Sequence, residues 1–319
     1  MKKLIVQIPC LNEEQAIGAA IAAIPRQVPG FDTVEVLVVD DGSTDRTVEV
    51  ARQAGADHIV QLPRHQGLAA AFLAGLEASV RAGADAIVHT DADNQYDAKC
   101  IPDLVRPICE GTADLVVGVR PIDQIPEFSW LKKRLQRLGS WVVRKCSATE
   151  VADVTSGFRA YSRDAALRLT VVSEFTYTHE TLIQAGRSGM AVTQIPVRVN
   201  AGTRPSRLFR SIPEYLRRSL VTILRVYAIY QPFRLFAGIG GVLALTGLLL
   251  CARYAWFVSL GEGRGHVQSV IVAGMLVTLG FQSAVLGLLA ELIGVNRKLV
   301  QEALYRVRKM EMKGASREE

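Results

Sequence analysis

Two apolar runs near the carboxyl end limit what this chain can fold into. "LFAGIGGVLALTGLLLCARYAWFVSL" begins at Leu235 and "VQSVIVAGMLVTLGFQSAVLGLLAELIGV" at Val267. Each supplies the roughly 20 apolar residues that crossing about 30 Å of hydrocarbon requires. A buried helical hairpin in a soluble core is the other structure such runs allow, but these are long for it. The linker "GEGRGH" is short and nearly neutral, whereas Arg234, Arg297, Lys298, Arg306, Arg308 and Lys309 flank the other ends. The positive-inside rule then places both termini in the cytoplasm. Arg253 and Glu291 are expected near interfaces or paired inside a bundle.

Ahead of these runs the pattern changes. "KLIVQI" (Lys3–Ile8), "VEVLVVD" (Val34–Asp40), "HIVQL" and "DAIVHT" read as strands, and the nearly continuous Val and Leu of the second suit a parallel strand covered on both faces. Between them lie three helical patterns: "NEEQAIGAAIAAI" with Asn12 as N-cap, "DGSTDRTVEVARQAGA" closing at Gly55, and Gly67 to Gly83. Strand–helix alternation with short connections predicts an α/β fold on a doubly wound, mostly parallel sheet. Past Asp114, "DLVVGVR" reads as a strand, "SWLKKRLQRLGSWVVRKC" as a basic amphipathic helix and "DVTSGFRAYSR" as turn-rich. "THETLIQAGRSG" is helical and "AVTQIPVRV" extended. Ser206 to Tyr230 mixes arginines with Leu, Ile and Tyr at helical spacing, which predicts a helix lying on the bilayer. The expected division is a globular domain over 1–205, juxtamembrane amphipathic helices over 206–234, two transmembrane helices over 235–295, and a cytoplasmic basic tail over 296–319.

The net charge of +6 has a location, because arginines crowd between Arg198 and Arg234 and basic residues return after Asn296. Basic clusters beside apolar runs fit a membrane face with anionic lipid. Nucleic acid is disfavoured as a partner, since no interleaved aromatic platform accompanies the basic segment. The five cysteines are scattered without a C-x-x-C pair, so neither a zinc site nor a disulfide framework is indicated, and a reducing compartment fits. "MKKLIVQIPCLNEE" turns acidic too soon for a signal peptide.

In doubly wound sheets ligands bind beyond the carboxyl ends of the strands. The polar clusters Leu11–Glu14, Asp40–Asp45 and Asp91–Asp97 each follow a strand, so they are expected to meet at one edge. Asp91, Asp93 and Gln95 alternate, and carboxylate and amide oxygens are hard ligands suited to Mg²⁺ or Mn²⁺. Taken alone, an acidic cap explains this cluster equally well. A calcium EF-hand is excluded, because Tyr96 and Pro102 stand where its glycine and last glutamate belong. Asp41 can accept hydrogen bonds from a base edge while Asp40 supports the turn; Gly42 to Asp45 also read as a turn and helix cap. His58, His65, His89 and His266 show no ligand spacing.

"IPCLNEE", "VVDDGSTD", "RHQGLAAAFLAG", "DADNQ", "GVR" and "DVTSGFRAYSR" stand in the order and near the spacing of family 2 inverting glycosyltransferases. Within that family the chain resembles the polyprenyl-phosphate sugar transferases, the group of dolichol-phosphate mannose synthase and its bacterial undecaprenyl-phosphate relatives. The resemblance covers the chain to about Arg234 and implies a GT-A fold, with a hairpin like that of members with two membrane helices. It implies that Pro9, Leu11 and Glu13 line the nucleotide pocket, Glu13 toward the ribose, and that Asp41 reads the base. Asp91 is implied near the ribose and diphosphate, and Asp91, Asp93 and Gln95 around a Mg²⁺ or Mn²⁺ ion. Arg120 is implied to match a basic residue near the phosphates, Asp153 an acid near the reacting centre, and Arg159, close by, to join Arg204, Ser206 and Arg207 at the acceptor phosphate. "PSRL" resembles a loop that turns Ser206 and Arg207 to the lipid phosphate. "TRPSRL" sets Arg204 nearer Arg207 than the family does, so the division of donor and acceptor phosphates among the arginines stays open.

The implied partners are a nucleotide-diphosphate sugar (UDP preferred over GDP), a polyprenyl phosphate, membrane lipids, and further copies of the chain in a tetramer. A lipid phosphate is largely ionised at neutral pH, so Asp153 is expected to orient more than to deprotonate. His179 and Glu180 read as a solvated helix face before they read as contacts to the donor sugar. A processive polysaccharide synthase would carry a Q-x-x-R-W motif and more membrane helices, and neither is present. A nucleotide-binding membrane scaffold without turnover is the other alternative.

Overall fold

The structure is a computed structural model and describes residues 1–121, 141, 143–147, 149–171, 177–200, 221, 225, 227–261 and 267–318. Val, Ile and Leu run through β1 (Lys3–Cys10) and β2 (Thr33–Asp40), which are buried for most of their length. These two strands pair parallel in matched register, Lys3 opposite Thr33 and Cys10 opposite Asp40. They therefore end side by side. β3 (His58–Gln61) extends the sheet beyond β2, and β4 (Ala86–His89) lies on the other side of β1.

The full order is β3-β2-β1-β4-β6-β5-β7, with β5 (Leu115–Val119), β6 (Arg159–Ser162) and β7 (Val192–Pro196) completing seven strands. β6 runs antiparallel between β4 and β5, with Arg159 opposite both His89 and Val117. The sheet is thus mostly parallel, as expected, with one reversed strand that the sequence hid inside "DVTSGFRAYSR". The reversal decides the site, because β6 begins at the edge where β1, β2, β4 and β5 end. The segments after four strands and the segment before β6 share that edge.

Helices cover both faces. α1 (Ile17–Ala22), α2 (Thr47–Gln53) and α4 (Ile101–Cys109) bury Ile17, Ile21, Ala51, Ile101 and Leu104 against Leu4, Val6, Ile8 and Val36. Each fully buried aliphatic side chain of this kind contributes about 1.5–3 kcal/mol. On the opposite face α3 (Leu68–Arg81) brings Phe72 against His89, Tyr161 and Tyr177, the last at the start of α6 (Tyr177–Arg187). α5 (Arg163–Arg168) follows β6 directly, capped by the Ser162 hydroxyl, which accepts from the Ala165 N–H.

Two compact units result, Met1–Ser219 with Gln301–Glu319, and Leu220–Val300. In the first, the end of α8 (Val267–Glu318) packs on α5. The Tyr305 hydroxyl donates to Asp164 (2.5 Å), and Arg308 Nη1 donates to the carbonyls of Leu167 and Leu169. In the second unit, α7 (Pro232–Ser259) and α8 approach through glycines. A Cβ on Gly240 would stand 2.5 Å from the Gly280 carbonyl, and one on Gly280 would stand 2.6 Å from that of Gly240. Ser283 Oγ donates to the Phe236 carbonyl across the pair (2.9 Å). Both helices are long and apolar enough to cross a membrane, and only 11% and 17% of their apolar windows is buried. A soluble core hairpin would hide those side chains.

Candidate active site

The turns after β1 and β2 interlock. Backbone N–H groups of Asn12 and Glu13 donate to Ser43 Oγ (2.9 Å) and Thr47 Oγ1 (2.8 Å), and that of Glu14 donates to Asp45 Oδ2 (3.3 Å). In return the Asn12 carbonyl oxygen Oδ1 accepts from the Thr44 N–H (2.8 Å). These bonds corrupt the expected helix start. Asn12 stands in a left-handed turn (φ 53°), and α1 begins only after Ala16. The residues expected around the nucleotide follow this frame: Pro9 is buried in β1, while Leu11 and Glu13 are half-buried above it.

Asp41, expected to read a base, is 3% exposed. Its Oδ1 accepts from the Gln66 N–H (2.7 Å), and its Oδ2 from the Gly67 N–H (2.9 Å) and pairs with His65 Nδ1 (2.7 Å). A carboxylate offers about four acceptor positions, so one on Oδ1 is left. Asp40 supports the turn as expected, accepting from the Ser43 N–H (3.1 Å). Gly42 (φ 80°) lets that turn pass, since a Cβ would meet the His65 nitrogen at 2.8 Å.

Beyond β4, Asp91, Asp93 and Gln95 lie half-buried on one turn. Asp93 Oδ1 accepts the Gln95 N–H (3.0 Å), and Asn94 takes a left-handed conformation (φ 55°) between them. Burial and then the neighbouring Asp93 carboxylate push the Asp91 carboxyl up to about 6, against the pull of Arg120. Gly157 sits directly behind. A Cβ there would stand 3.1 Å and 3.2 Å from the two Asp91 oxygens and 3.0 Å from the Tyr177 hydroxyl. Tyr96 lies below, stacked on Phe158, with its hydroxyl accepting the Gly157 N–H (3.2 Å).

Arg120 and Asp153 form a forked ion pair. Nε donates to Oδ2 (2.7 Å), and Nη2 to Oδ1 (3.2 Å) and to Thr155 Oγ1 (2.9 Å). The Asp153 side chain is 0% exposed. Burial opposes its ionisation, yet Arg120 and Thr155 together hold its carboxyl below the usual range. It is a poor base, in line with an orienting role. Among the described residues Arg120 Nη1 has no hydrogen-bond partner.

Arg159 corrects the expectation that placed it at the acceptor phosphate. It is 0% exposed, and its guanidinium donates to the carbonyls of Ser156 (2.8 Å), Thr178 (2.7 Å) and Val154 (2.9 Å) and to Thr181 Oγ1 (3.0 Å). Four of its five N–H donors are engaged inside the protein. The solvated-face reading of "THETLIQA" also fails. Glu180 is buried, and burial, then Arg159, pushes the His179 imidazole down to about 4. Arg204, Ser206 and Arg207 lie outside the described residues.

Several contributors escaped the sequence reading. Thr155 and Gly157 stand inside "DVTSGFRAYSR" and Tyr96 behind "DADNQ" with no role ascribed to them there, and His89 is a buried link between Gln7 (3.0 Å) and the Tyr177 hydroxyl (2.9 Å). Their partners lie up to 88 residues away. No local spacing signals them.

A family model described as "Glycosyl transferase family 2" matches residues 5–170. The chain belongs to glycosyl transferase family 2. It is 28% identical over 205 residues to an undecaprenyl-phosphate mannosyltransferase of Micrococcus luteus, covering 61% of this chain and 82% of the other. It is 33% identical over 199 residues to a dolichyl-phosphate hexose transferase of Haloferax volcanii, covering 61% and 81%. A similar solved structure is glucosyl-3-phosphoglycerate synthase from Mycobacterium tuberculosis, in complex with Mn²⁺, uridine diphosphate and glucosyl-3-phosphoglycerate. The TM-score is 0.56 at 23% identity, over 71% of this chain and 79% of that one. That likeness confirms the fold, a GT-A sheet.

For this family 2 chain, the donor set fits a hard divalent cation. The Asp93 carboxylate helps burial to raise the Asp91 carboxyl, a repulsion that a dication relieves, and Gln95 stands on the same turn. Among the described residues no three His, Cys, Asp or Glu side chains gather into one metal-holding group.

Proposed function

We propose that this chain moves a single sugar, with inversion, from a nucleotide-diphosphate sugar to a polyprenyl phosphate at the cytoplasmic face of a membrane. The observation that carries the reading is the meeting of the Asp91–Asp93 pair with the forked Arg120–Asp153 pair at one sheet edge, in a family 2 chain with two membrane-length helices. Uridine diphosphate is preferred over guanosine diphosphate as the donor's leaving group. The acceptors named for the two relatives support a lipid phosphate.

In this reading Pro9, Leu11, Glu13 and Asp41 bind the nucleotide, Asp41 through its remaining acceptor position. Asp91, Asp93 and Gln95 hold Mg²⁺ or Mn²⁺, which when bound acts as a Lewis acid toward the diphosphate leaving group. Arg120 aims Nη1 at the same phosphates while Asp153 fixes its plane. Arg204, Ser206 and Arg207 grip the acceptor phosphate, whose ionised oxygen attacks without a strong base. Arg159 has no place in that set, because it is buried and four of its five N–H donors are engaged inside the protein. The helices anchor the protein beside its lipid substrate, and association into a tetramer belongs to the same proposal.

The test supplies candidate UDP- and GDP-sugars with undecaprenyl phosphate and Mg²⁺ or Mn²⁺, and follows lipid-linked sugar. Asp93→Ala is expected to lose transfer. Undiminished transfer by that variant would sink the metal assignment, and nucleotide binding without product in the unaltered protein would favour the scaffold.

A further inference from the structure

The side chain beside Asp41 decides what kind of base edge that carboxylate can take. Asp41 follows β2 at the shared edge, and its N–H continues the pairing of β2 with β1 by donating to the Cys10 carbonyl (2.9 Å). The Asp41 side chain is 5% exposed, whereas the His65 side chain against it is 62% exposed. The three donors that meet Asp41 differ in origin. The Gln66 and Gly67 N–H groups belong to the backbone just ahead of α3, where Gly67 stands at φ 95°, a conformation that favours glycine. Those two bonds are set by the fold. The bond from His65 Nδ1 to Oδ2 (2.7 Å) is the one that depends on a side chain. An ionised carboxylate only accepts, so His65 carries a proton on Nδ1. The backbone of His65 is pinned as well, because a Cβ on Gly42 would stand 2.8 Å from its nitrogen and 2.9 Å from the Arg64 carbonyl carbon.

With His65 in place, Oδ2 is filled and Oδ1 keeps one acceptor position. Uracil presents one N–H, at N3, between two carbonyls. Guanine presents two neighbouring donors, N1–H and the N2 amino group, which suit a carboxylate open at both oxygens. Against Asp41 the second of these would meet no acceptor, and a buried donor left unpaired is costly. Without His65, each oxygen would keep one open position, which is what the guanine edge needs. We propose that His65 is a specificity-determining residue of the nucleotide site: by filling Oδ2 it limits Asp41 to one N–H, which admits uracil and turns guanine away. The inference rests on the proposed function, which sets a base against Asp41.

The test titrates the full-length protein in lipid nanodiscs with UDP and with GDP by calorimetry, both in Mn²⁺. Transfer from candidate UDP-sugars to undecaprenyl phosphate is followed in parallel. The unaltered protein is expected to bind UDP about tenfold or more tighter than GDP. His65→Ala removes an exposed ring and should shrink that ratio about fivefold or more, as GDP gains on UDP. His65→Asn, whose amide nitrogen can reach the place of Nδ1, should restore most of it. A histidine that only steadied its loop would affect both nucleotides alike. A folded His65→Ala protein that keeps the full preference, or weakens both nucleotides equally, therefore overturns the inference. So does a His65→Asn protein no more selective than His65→Ala. Either result, beside an unaltered protein that makes product, defeats the inference only. An unaltered protein that binds neither nucleotide defeats the nucleotide reading and the inference with it, and one that prefers GDP overturns the inference and the UDP preference together.

Discussion

Gly157 shows how little room the site has at the level of one residue. A methyl group there would press on both Asp91 oxygens and on the Tyr177 hydroxyl at 3.0–3.2 Å, tighter than ordinary contact. Gly157→Ala should therefore displace the Asp91 carboxylate by tenths of an ångström, and reacting groups tolerate displacement poorly. We expect kcat/KM for the nucleotide sugar to fall about tenfold or more, with a thermal midpoint close to the unaltered protein's. Parallel kinetics and melting would show it, and unchanged kinetics would remove Asp91 from the site. Arg120→Ala differs in kind, since it leaves Asp153 buried without its ion partner. It should destabilise the fold by about 3–5 kcal/mol, read by denaturant unfolding of the full chain. Legibility at this scale followed charge and position. The place of Asp91, Asp93, Asp41 and Arg120 at one sheet edge was readable because each follows a strand. Arg159 was misread because a buried arginine and a phosphate-binding arginine look alike until its carbonyl partners are known.

Among the elements, strands were easier to read than boundaries. Runs of Val, Ile and Leu announced β1, β2 and β4, whereas β6 was lost because its first residue is a buried arginine. α1 started late because the 43–47 turn draws in the N–H groups of residues 12–14, a pairing across some 30 positions. The docking of α8 on α5 was invisible for the same reason. It makes a pH prediction. Burial works against the charged Asp164, but hydrogen bonds from Tyr305 and Arg168 outweigh it and hold its carboxyl below the ordinary value. A lowered native pKa contributes stability above the unfolded value of about 3.9, and loses it as pH falls through the native value. Asp164 is partly exposed, so the gain is modest, at most about 1 kcal/mol. Hydrogen exchange in residues 301–312 should therefore quicken below about pH 4, and Tyr305→Phe should quicken it at neutral pH; equal protection in both would refute the docking. In the helical pair, Gly280→Val would overpack the contact with Gly240 and cost about 1–3 kcal/mol. A lower melting temperature in nanodiscs would register that, and no change would argue against close helix packing.

For the whole molecule, the open matter is which side of a membrane each part occupies. The proposed orientation, argued from the basic residues at the outer ends of the apolar runs, has both termini on the cytoplasmic face. Trypsin added to inverted membrane vesicles should then remove the tail near Lys309 and digest the amino-terminal domain, while sealed right-side-out vesicles stay resistant. Opposite protection would reverse the orientation. The reversed strand β6 bears on how the molecule is made. β4 is buried along its whole length and has β1 on one side and β6 on the other, yet residues 90–158 separate it from β6 in the chain. On the ribosome, the growing sheet must keep an apolar edge open through that interval, a state prone to pairing with the wrong neighbour. Closure arrives with Ser162, about 70 residues before the first apolar helix is synthesised at Pro232. The order of synthesis thus lets the sugar-handling half seal its own sheet before any segment that needs lipid has been made.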